Sequence, residues 1–93
     1  MVVAACYCEL FLPGSGSLKD KRQVLKSLCQ KLRRDLGLAV AEVDFQDLWQ
    51  RGGIGLAAVS SDKGQAEKVV RQALKMMDRD CRFDLIRYHI SFY

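Results

Sequence analysis

Residues 51–62 read RGGIGLAAVSSD, and the interpretation of this stretch decides the fold class. Gly53, Gly55 and Ala58 have the G-x-G-x-x-A spacing of a turn that binds dinucleotides. Such a turn opens a helix directly, because amides at the helix N-terminus bind the pyrophosphate. Here the segment IGLAAV has the composition of a β-strand, and the next helix is predicted to start only at about Asp62. The stretch is therefore predicted to be a strand followed by a helix.

The predicted strand has one apolar side and one side of small residues. Successive side chains of a strand point to opposite faces of the sheet, so Ile54, Leu56 and Ala58 are predicted to face the helices. The other side would be the floor of a shallow trough, and its residues are Gly53, Gly55, Ala57 and Val59.

The remaining segments complete a regular alternation of elements. Strands are predicted over residues 2–12, 38–45, 49–60 and 82–93. One helix is predicted between Ser17 and Gly37, and the other begins at Asp62; both have a single apolar face. This order predicts an α+β fold, a ferredoxin-like βαββαβ sandwich with a four-stranded antiparallel sheet and two helices on one face. Right-handed crossovers place the first and third strands in the centre. The second strand, LAVAEV, fits either register.

Length and composition predict a single domain over residues 1–93. With 93 residues, 49% of them hydrophobic, the chain can form its own core without a disulfide or a metal. No apolar run approaches the roughly 20 residues of a membrane span, so no membrane partner is predicted. We expect the protein to lie in a reducing cytoplasm, with its four cysteines as free thiols, namely Cys6, Cys8, Cys29 and Cys81.

Few residues suggest catalysis or cofactor binding. Cys6 and Cys8 share a strand face, but the spacing is not C-x-x-C and the lone His89 is predicted to point the other way. No histidine and carboxylate pair for general acid and base catalysis is apparent. The sequence therefore predicts no enzyme, no cofactor and no metal site.

Positive charge is concentrated in the first helix. Residues 17–36 hold seven Lys or Arg against two Asp, a net +5, whereas the whole chain has a net +4. Such a segment is typical of a surface that binds a polyanion, although a solubilising helix face has the same composition. The predicted nucleic-acid-binding residues are Lys19, Lys21, Arg22, Lys26, Arg33 and Arg34.

The sheet face away from the helices is predicted to carry aromatic and apolar side chains from the first and fourth strands. A large exposed apolar patch is uncommon on a monomer, which favours a homo-oligomer or a protein partner. The alternative is that Tyr7 and Phe11 lean over the glycines of the third strand. The predicted interface residues are Tyr7, Phe11, Trp49, Arg51, Gly53, Gly55, Ala57, Phe83 and Leu85.

The connection QDLWQR, residues 46–51, contains the single tryptophan of the chain. One interpretation is that Trp49, with Arg51 two residues further on, anchors the binding of a partner. Leu48 and Trp49 near a hairpin more often cover the end of a small core, and that interpretation is favoured.

Two segments, LPGSGSLKDKRQVLKSL at 12–28 and AEVDFQDLWQRGGIGLAAVSSD at 41–62, together resemble the YlxP-like bacterial family, a domain-of-unknown-function family. The blocks SLKDKR and QDLWQR carry most of the resemblance, whereas Gly16, Phe45 and Gly52–Gly53 depart from it. The resemblance implies a ferredoxin-like fold, and the family has no established catalytic residues to carry over to this chain. It also implies a genomic context, since genes of the family often lie beside those for a translation initiation factor and ribosome-binding factor A.

From this resemblance we expect a non-enzymatic accessory protein in translation or ribosome maturation. Its expected partners are ribosomal RNA or a ribosome-assembly factor. The alternative is a homo-oligomeric structural or small-ligand-sensing module that assembles through the open sheet face.

Overall fold

The computed structural model describes residues 1–93. Four strands form one antiparallel sheet in the order β2-β3-β1-β4, and residues of both helices pack into a single core against it. The predicted ferredoxin-like α+β fold, with the first and third strands in the centre, is confirmed. The elements are β1 (Val2–Phe11), α1 (Leu18–Leu36), β2 (Ala39–Asp44), β3 (Arg51–Ser60), α2 (Lys63–Asp78) and β4 (Asp84–Phe92).

Both helices begin at the predicted caps. The Ser17 side chain accepts a hydrogen bond from the Asp20 N–H at 3.0 Å, and the Asp62 carboxylate accepts one from the Gln65 N–H at 2.9 Å. Each cap satisfies a backbone donor that has no partner within the helix. Helix α1 ends at Gly37, whose φ of 65° is in the left-handed region that favours glycine. Neither helix is long and apolar enough to cross a membrane.

The core lies between the helices and one face of the two central strands. As predicted, Ile54, Leu56 and Ala58 are buried on this face of β3. They lie opposite Cys8, Cys6 and Ala4 of β1. Since β3 continues to Ser60 and α2 starts only at Lys63, the glycines do not open a helix and the dinucleotide-binding interpretation is excluded.

The register of β2, which the sequence left open, follows from burial. Val40 is buried and pairs with Leu56, so it faces the helices. Ala41 pairs with Gly55 and lies on the open face of the sheet. Val43 is more than half exposed on the same side.

The predicted placement of two residues near β4 was wrong. Phe83 precedes the strand and is buried in the core, and Leu85 pairs with Leu10, which faces the helices. The pairing of β4 with β1 shifts between Glu9 and Leu10, so a β-bulge inserts an extra residue and reverses the alternation beyond it. The prediction from sequence assumed an unbroken alternation along this segment, which placed both side chains on the open face.

Candidate functional site

A row of unpaired cations lies on one side of α1. Lys19, Arg22 and Lys26 are exposed, and no carboxylate oxygen lies within 4.0 Å of their charged groups. Their spacing of three and four residues places them on successive turns of the same helix face. These three residues are called the basic stripe below.

Two arginines beyond the basic stripe are engaged within the chain. Arg33 donates a hydrogen bond from Nη2 to the Val40 carbonyl oxygen at 2.5 Å, which shows that this side of α1 faces β2. Arg34 pairs with Asp35 at 2.8 Å, and this hydrogen bond lowers the pKa of the Asp35 carboxyl. Arg33 and Arg34 were predicted to bind nucleic acid, and both already have partners in the folded chain.

Lys21, which was also predicted to bind nucleic acid, is fully buried, at 0% exposure, and the prediction was wrong. Its Nζ donates hydrogen bonds to the carbonyl oxygens of Phe45 at 2.6 Å and Gln46 at 3.2 Å. The ammonium also lies 3.3 Å from Oε2 of Glu42, which has no hydrogen-bond partner of its own. Lys21 therefore fastens the first turns of α1 to the chain that follows β2.

The connection between β2 and β3, residues 45–50, is held at both ends. Lys21 binds its first two carbonyls, and the Gln50 side-chain amide donates to the carbonyl oxygens of Pro13 at 3.3 Å and Ser15 at 3.2 Å. The Leu48 N–H donates to the Phe45 carbonyl at 3.0 Å and closes a turn within it. These residues are called the β2–β3 loop below.

Two large apolar side chains project from the β2–β3 loop into solvent. Leu48 is 47% exposed and Trp49 is 55% exposed. The favoured interpretation, that these side chains cover the end of the core, was therefore wrong. A half-exposed tryptophan on a loop with fixed backbone contacts is a suitable recognition anchor, because little conformational freedom is lost when a partner binds.

The open face of the sheet forms a shallow apolar trough of about 460 Å³. Its floor contains Ala5 of β1 with Gly55 and Ala57 of β3, as the alternation predicted for β3. Tyr93 borders it and is 78% exposed. His89 pairs with Tyr7 on this face. The trough is large and apolar enough to accept side chains of a partner.

One end of the glycine floor is covered by the chain itself. Tyr7 donates from its hydroxyl to Oδ2 of Asp44 at 3.1 Å, and burial together with this hydrogen bond raises the pKa of Tyr7. A Cβ at Gly53 would lie 2.5 Å from the Asp44 Cβ and 3.0 Å from the Tyr7 hydroxyl oxygen. Phe11 lies opposite Arg51, at the end of the strand, and not over a glycine. Tyr7 alone thus has the predicted covering role.

Arg51, a predicted partner contact, is bound to a carboxylate of its own chain. Glu9 is buried, and it forms ion pairs with Nη1 of Arg51 and, at 3.4 Å, with Nε of Arg87. This cluster was not predicted from the sequence. The one available signal was a glutamate inside the apolar segment 2–12, since a buried carboxylate requires a cationic partner.

Cys6 and Cys8 form a buried pair of thiols with their sulfur atoms 3.7 Å apart. The hydrogen bond between them lowers the pKa of Cys6 and, together with burial, raises that of Cys8. His89 pairs with Tyr7 and so lies on the opposite face of the sheet, as predicted. No group of three or more His, Cys, Asp or Glu is arranged to hold a metal ion.

Comparison with known proteins supports the resemblance noted from the sequence. The family described as "Protein of unknown function (DUF503)" matches residues 3–90, which include the basic stripe and the β2–β3 loop. A bacterial relative, "Uncharacterized protein YlxP" of Bacillus subtilis (strain 168), is 39% identical over 71 residues. The alignment covers 76% of this chain and 77% of the relative.

Proposed function

The chain belongs to the DUF503 family of proteins of unknown function, and from this premise we propose that it is a non-enzymatic, cytoplasmic accessory protein that binds RNA through the basic stripe. Its partner is ribosomal RNA, bare or within an assembling particle that carries a ribosome-assembly factor. The setting in translation or ribosome maturation rests on the gene neighbours that the YlxP-like resemblance implies.

The observation that carries this proposal is that three unpaired cations lie on one face of a helix segment, residues 17–36, with a net charge of +5. Lys19 and Lys26 are seven residues apart, which corresponds to about 10 Å along a helix. That length is close to the Debye length at moderate salt, so the charges attract a polyanion together. Cations that already have carboxylate partners, such as Arg34 and Arg71, gain less from a phosphate. Unpaired cations also lie along α2, but residues 62–80 hold four acidic residues against five basic ones, a net +1, whereas residues 17–36 have a net +5. The stripe therefore lies in the more positive of the two helix segments, where phosphate contacts are favoured.

Reversing the basic stripe should weaken RNA binding and reduce its dependence on salt. For the triple variant Lys19→Glu, Arg22→Glu, Lys26→Glu we expect an affinity for single-stranded ribosomal RNA fragments at least about tenfold lower at low salt. The slope of log K against log salt should fall by about 2, since each lost phosphate contact removes about 0.7 on a single strand. Fluorescence anisotropy of labelled RNA over a salt series measures both quantities.

The matched control is a triple reversal on α2 and the residue that caps its C-terminus, namely Lys68→Glu, Lys75→Glu, Arg79→Glu. Both triple variants have a net charge of −2, because each reversal changes the stated +4 by two units. The α2 variant should keep most of its affinity and should still travel with ribosomal particles at low salt in a sedimentation of cell extract. Equal loss in the two variants, or no loss in the stripe variant, would contradict the proposal.

A second candidate function, assembly into a homo-oligomeric structural or ligand-sensing module, is favoured by the trough. Two strands of ten residues at about 3.3 Å per residue and four strands about 4.8 Å apart give a face of roughly 600 Å². Because projecting side chains make the accessible area larger than this flat estimate, the face approaches the roughly 800 Å² that each partner contributes to a stable interface. Val59 and Tyr93 extend the apolar surface of this face and are both mostly exposed.

A bulky charge in the trough should abolish assembly through this face. For Ala57→Arg we expect a monomer at concentrations where the unmodified protein is a dimer, because the guanidinium would be buried without a partner. The fold should persist, since Ala57 points away from the helices. Sedimentation velocity measures the change, with Gln72→Arg on the exposed side of α2 as a control of equal charge. A monomeric unmodified protein at high concentration would rule out the second function.

A further inference from the structure

The loop that carries the exposed Trp49 is held at the end of α1 that carries the basic stripe. Lys21 directly precedes Arg22 of the stripe, and its ammonium is bound to the carbonyl oxygens of Phe45 and Gln46. These contacts fix the β2–β3 loop beside the first turns of α1. Arg33 follows Lys26 by seven residues and so shares its helix face. Because Arg33 donates a hydrogen bond to Val40 of β2, the stripe also lies on the β2 side of the helix. A strand of nucleic acid that follows the stripe toward the α1 N-terminus therefore reaches the loop that carries Trp49.

Trp49 has the properties of a stacking platform. It is 55% exposed, and the ends of its loop are fixed by Lys21 and Gln50. Aromatic side chains next to cationic grooves bind single-stranded nucleic acid by stacking on bases, which contributes about 1–3 kcal/mol for each base. Leu48 is exposed beside it and adds apolar surface for a second base or a ribose.

We propose that the ligand of the basic stripe is single-stranded RNA, one of whose unpaired bases stacks on the indole of Trp49. This inference rests on the RNA binding proposed above and specifies its substrate class. A duplex covers both faces of its bases, so an exposed side chain stacks only on bases in loops, bulges or ends. Stacking of this kind tolerates any sequence. A nucleic acid is favoured over a protein pocket because the tryptophan loop is fixed to the half of α1 that carries three unpaired cations.

The single tryptophan makes the stack directly observable. Unlabelled short oligoadenylate should quench the Trp49 emission over the same concentration range in which labelled oligoadenylate gains anisotropy. A blunt-ended RNA duplex, which has no unpaired base, should not quench it. Trp49→Ala should lower the affinity about 5- to 150-fold, the range that 1–3 kcal/mol gives at 1.4 kcal/mol per tenfold. Trp49→Phe should recover most of it. Circular dichroism of both variants should match the unmodified protein, because the side chain is exposed.

The outcomes separate this inference from the proposal on which it depends. If anisotropy reports binding that needs the basic stripe, but Trp49 is not quenched and Trp49→Ala binds equally well, the stacking inference is overturned and RNA binding stands. Equal affinity for the duplex overturns the single-strand assignment. An absence of binding in both assays overturns both proposals. If the Trp49 emission shifts to the blue on addition of RNA-free ribosomal proteins and is not quenched by oligoadenylate, Trp49 contacts a protein partner instead, and the inference is also overturned.

Discussion

Replacing Lys21 with methionine should lower the free energy of unfolding by about 3–5 kcal/mol, a large part of the stability of a domain of this size. Methionine fills much of the same space but has no ammonium group. The carbonyl oxygens of Phe45 and Gln46 would lose their buried donor, and the carboxylate of Glu42 would lose the cation 3.3 Å away. Both losses leave polar groups without partners, and Oε2 of Glu42 is buried from water.

A double-mutant cycle separates these two losses. Urea unfolding of Lys21→Met, Glu42→Gln and the double variant should show the double variant losing less than the two single variants combined, because the neutral amide no longer needs a cation. Lys26→Met on the exposed face of α1 is the matched control and should change the free energy of unfolding by less than about 0.5 kcal/mol. A loss below about 1 kcal/mol for Lys21→Met would mean that Lys21 does not hold the β2–β3 loop.

Replacing Gly53 with alanine should cost about 3 kcal/mol of unfolding free energy. The new Cβ would lie 2.5 Å from the Asp44 Cβ and 3.2 Å from the Asp44 Cα. The positions of both atoms are fixed by the backbone of β2, so a rotamer change cannot relieve the contacts and β2 must move away from β3. The displacement would also strain the hydrogen bond from Tyr7 to Asp44.

Two other glycines provide a graded comparison. A Cβ at Gly55 would meet the Val43 Cγ1 at 3.2 Å, a side-chain atom that can shift, so Gly55→Ala should cost less than about 1 kcal/mol. Nothing lies within 4 Å of a Cβ at Gly14, so Gly14→Ala should be nearly neutral. Urea midpoints of the three variants should follow this order, and a Gly53→Ala variant as stable as Gly14→Ala would show that the strands separate without cost.

The parts of the fold that were predictable from sequence are those set by local chemistry. Ser17, Asp62 and Gly37 mark helix ends because each satisfies a backbone requirement of its own helix. The bulge that turned Leu85 toward the helices depends on how β4 pairs with β1, a non-local property that the strand's own residues do not encode. The β2–β3 loop is similar, since Lys21 and Gln50 hold it through contacts with distant residues.

The candidate site was predictable as a region but not residue by residue. The charge count located the cations on α1, whereas their pairing with Asp35 or the Val40 carbonyl appears only in three dimensions. Lys21 is the exception, because a signal was present in the sequence. It precedes Leu25 by four residues and Leu28 by seven, so helical spacing places it on the leucine face of α1.

The placement of the two surfaces on opposite layers of the sandwich has a consequence for avidity. The helices cover one sheet face and the trough occupies the other, so a second copy docked at the trough would leave both basic stripes facing outward. Such a dimer would be bivalent. A long or folded RNA that reached both stripes would then bind with an effective concentration set by its own geometry, and its affinity would exceed that of one stripe without any new contact.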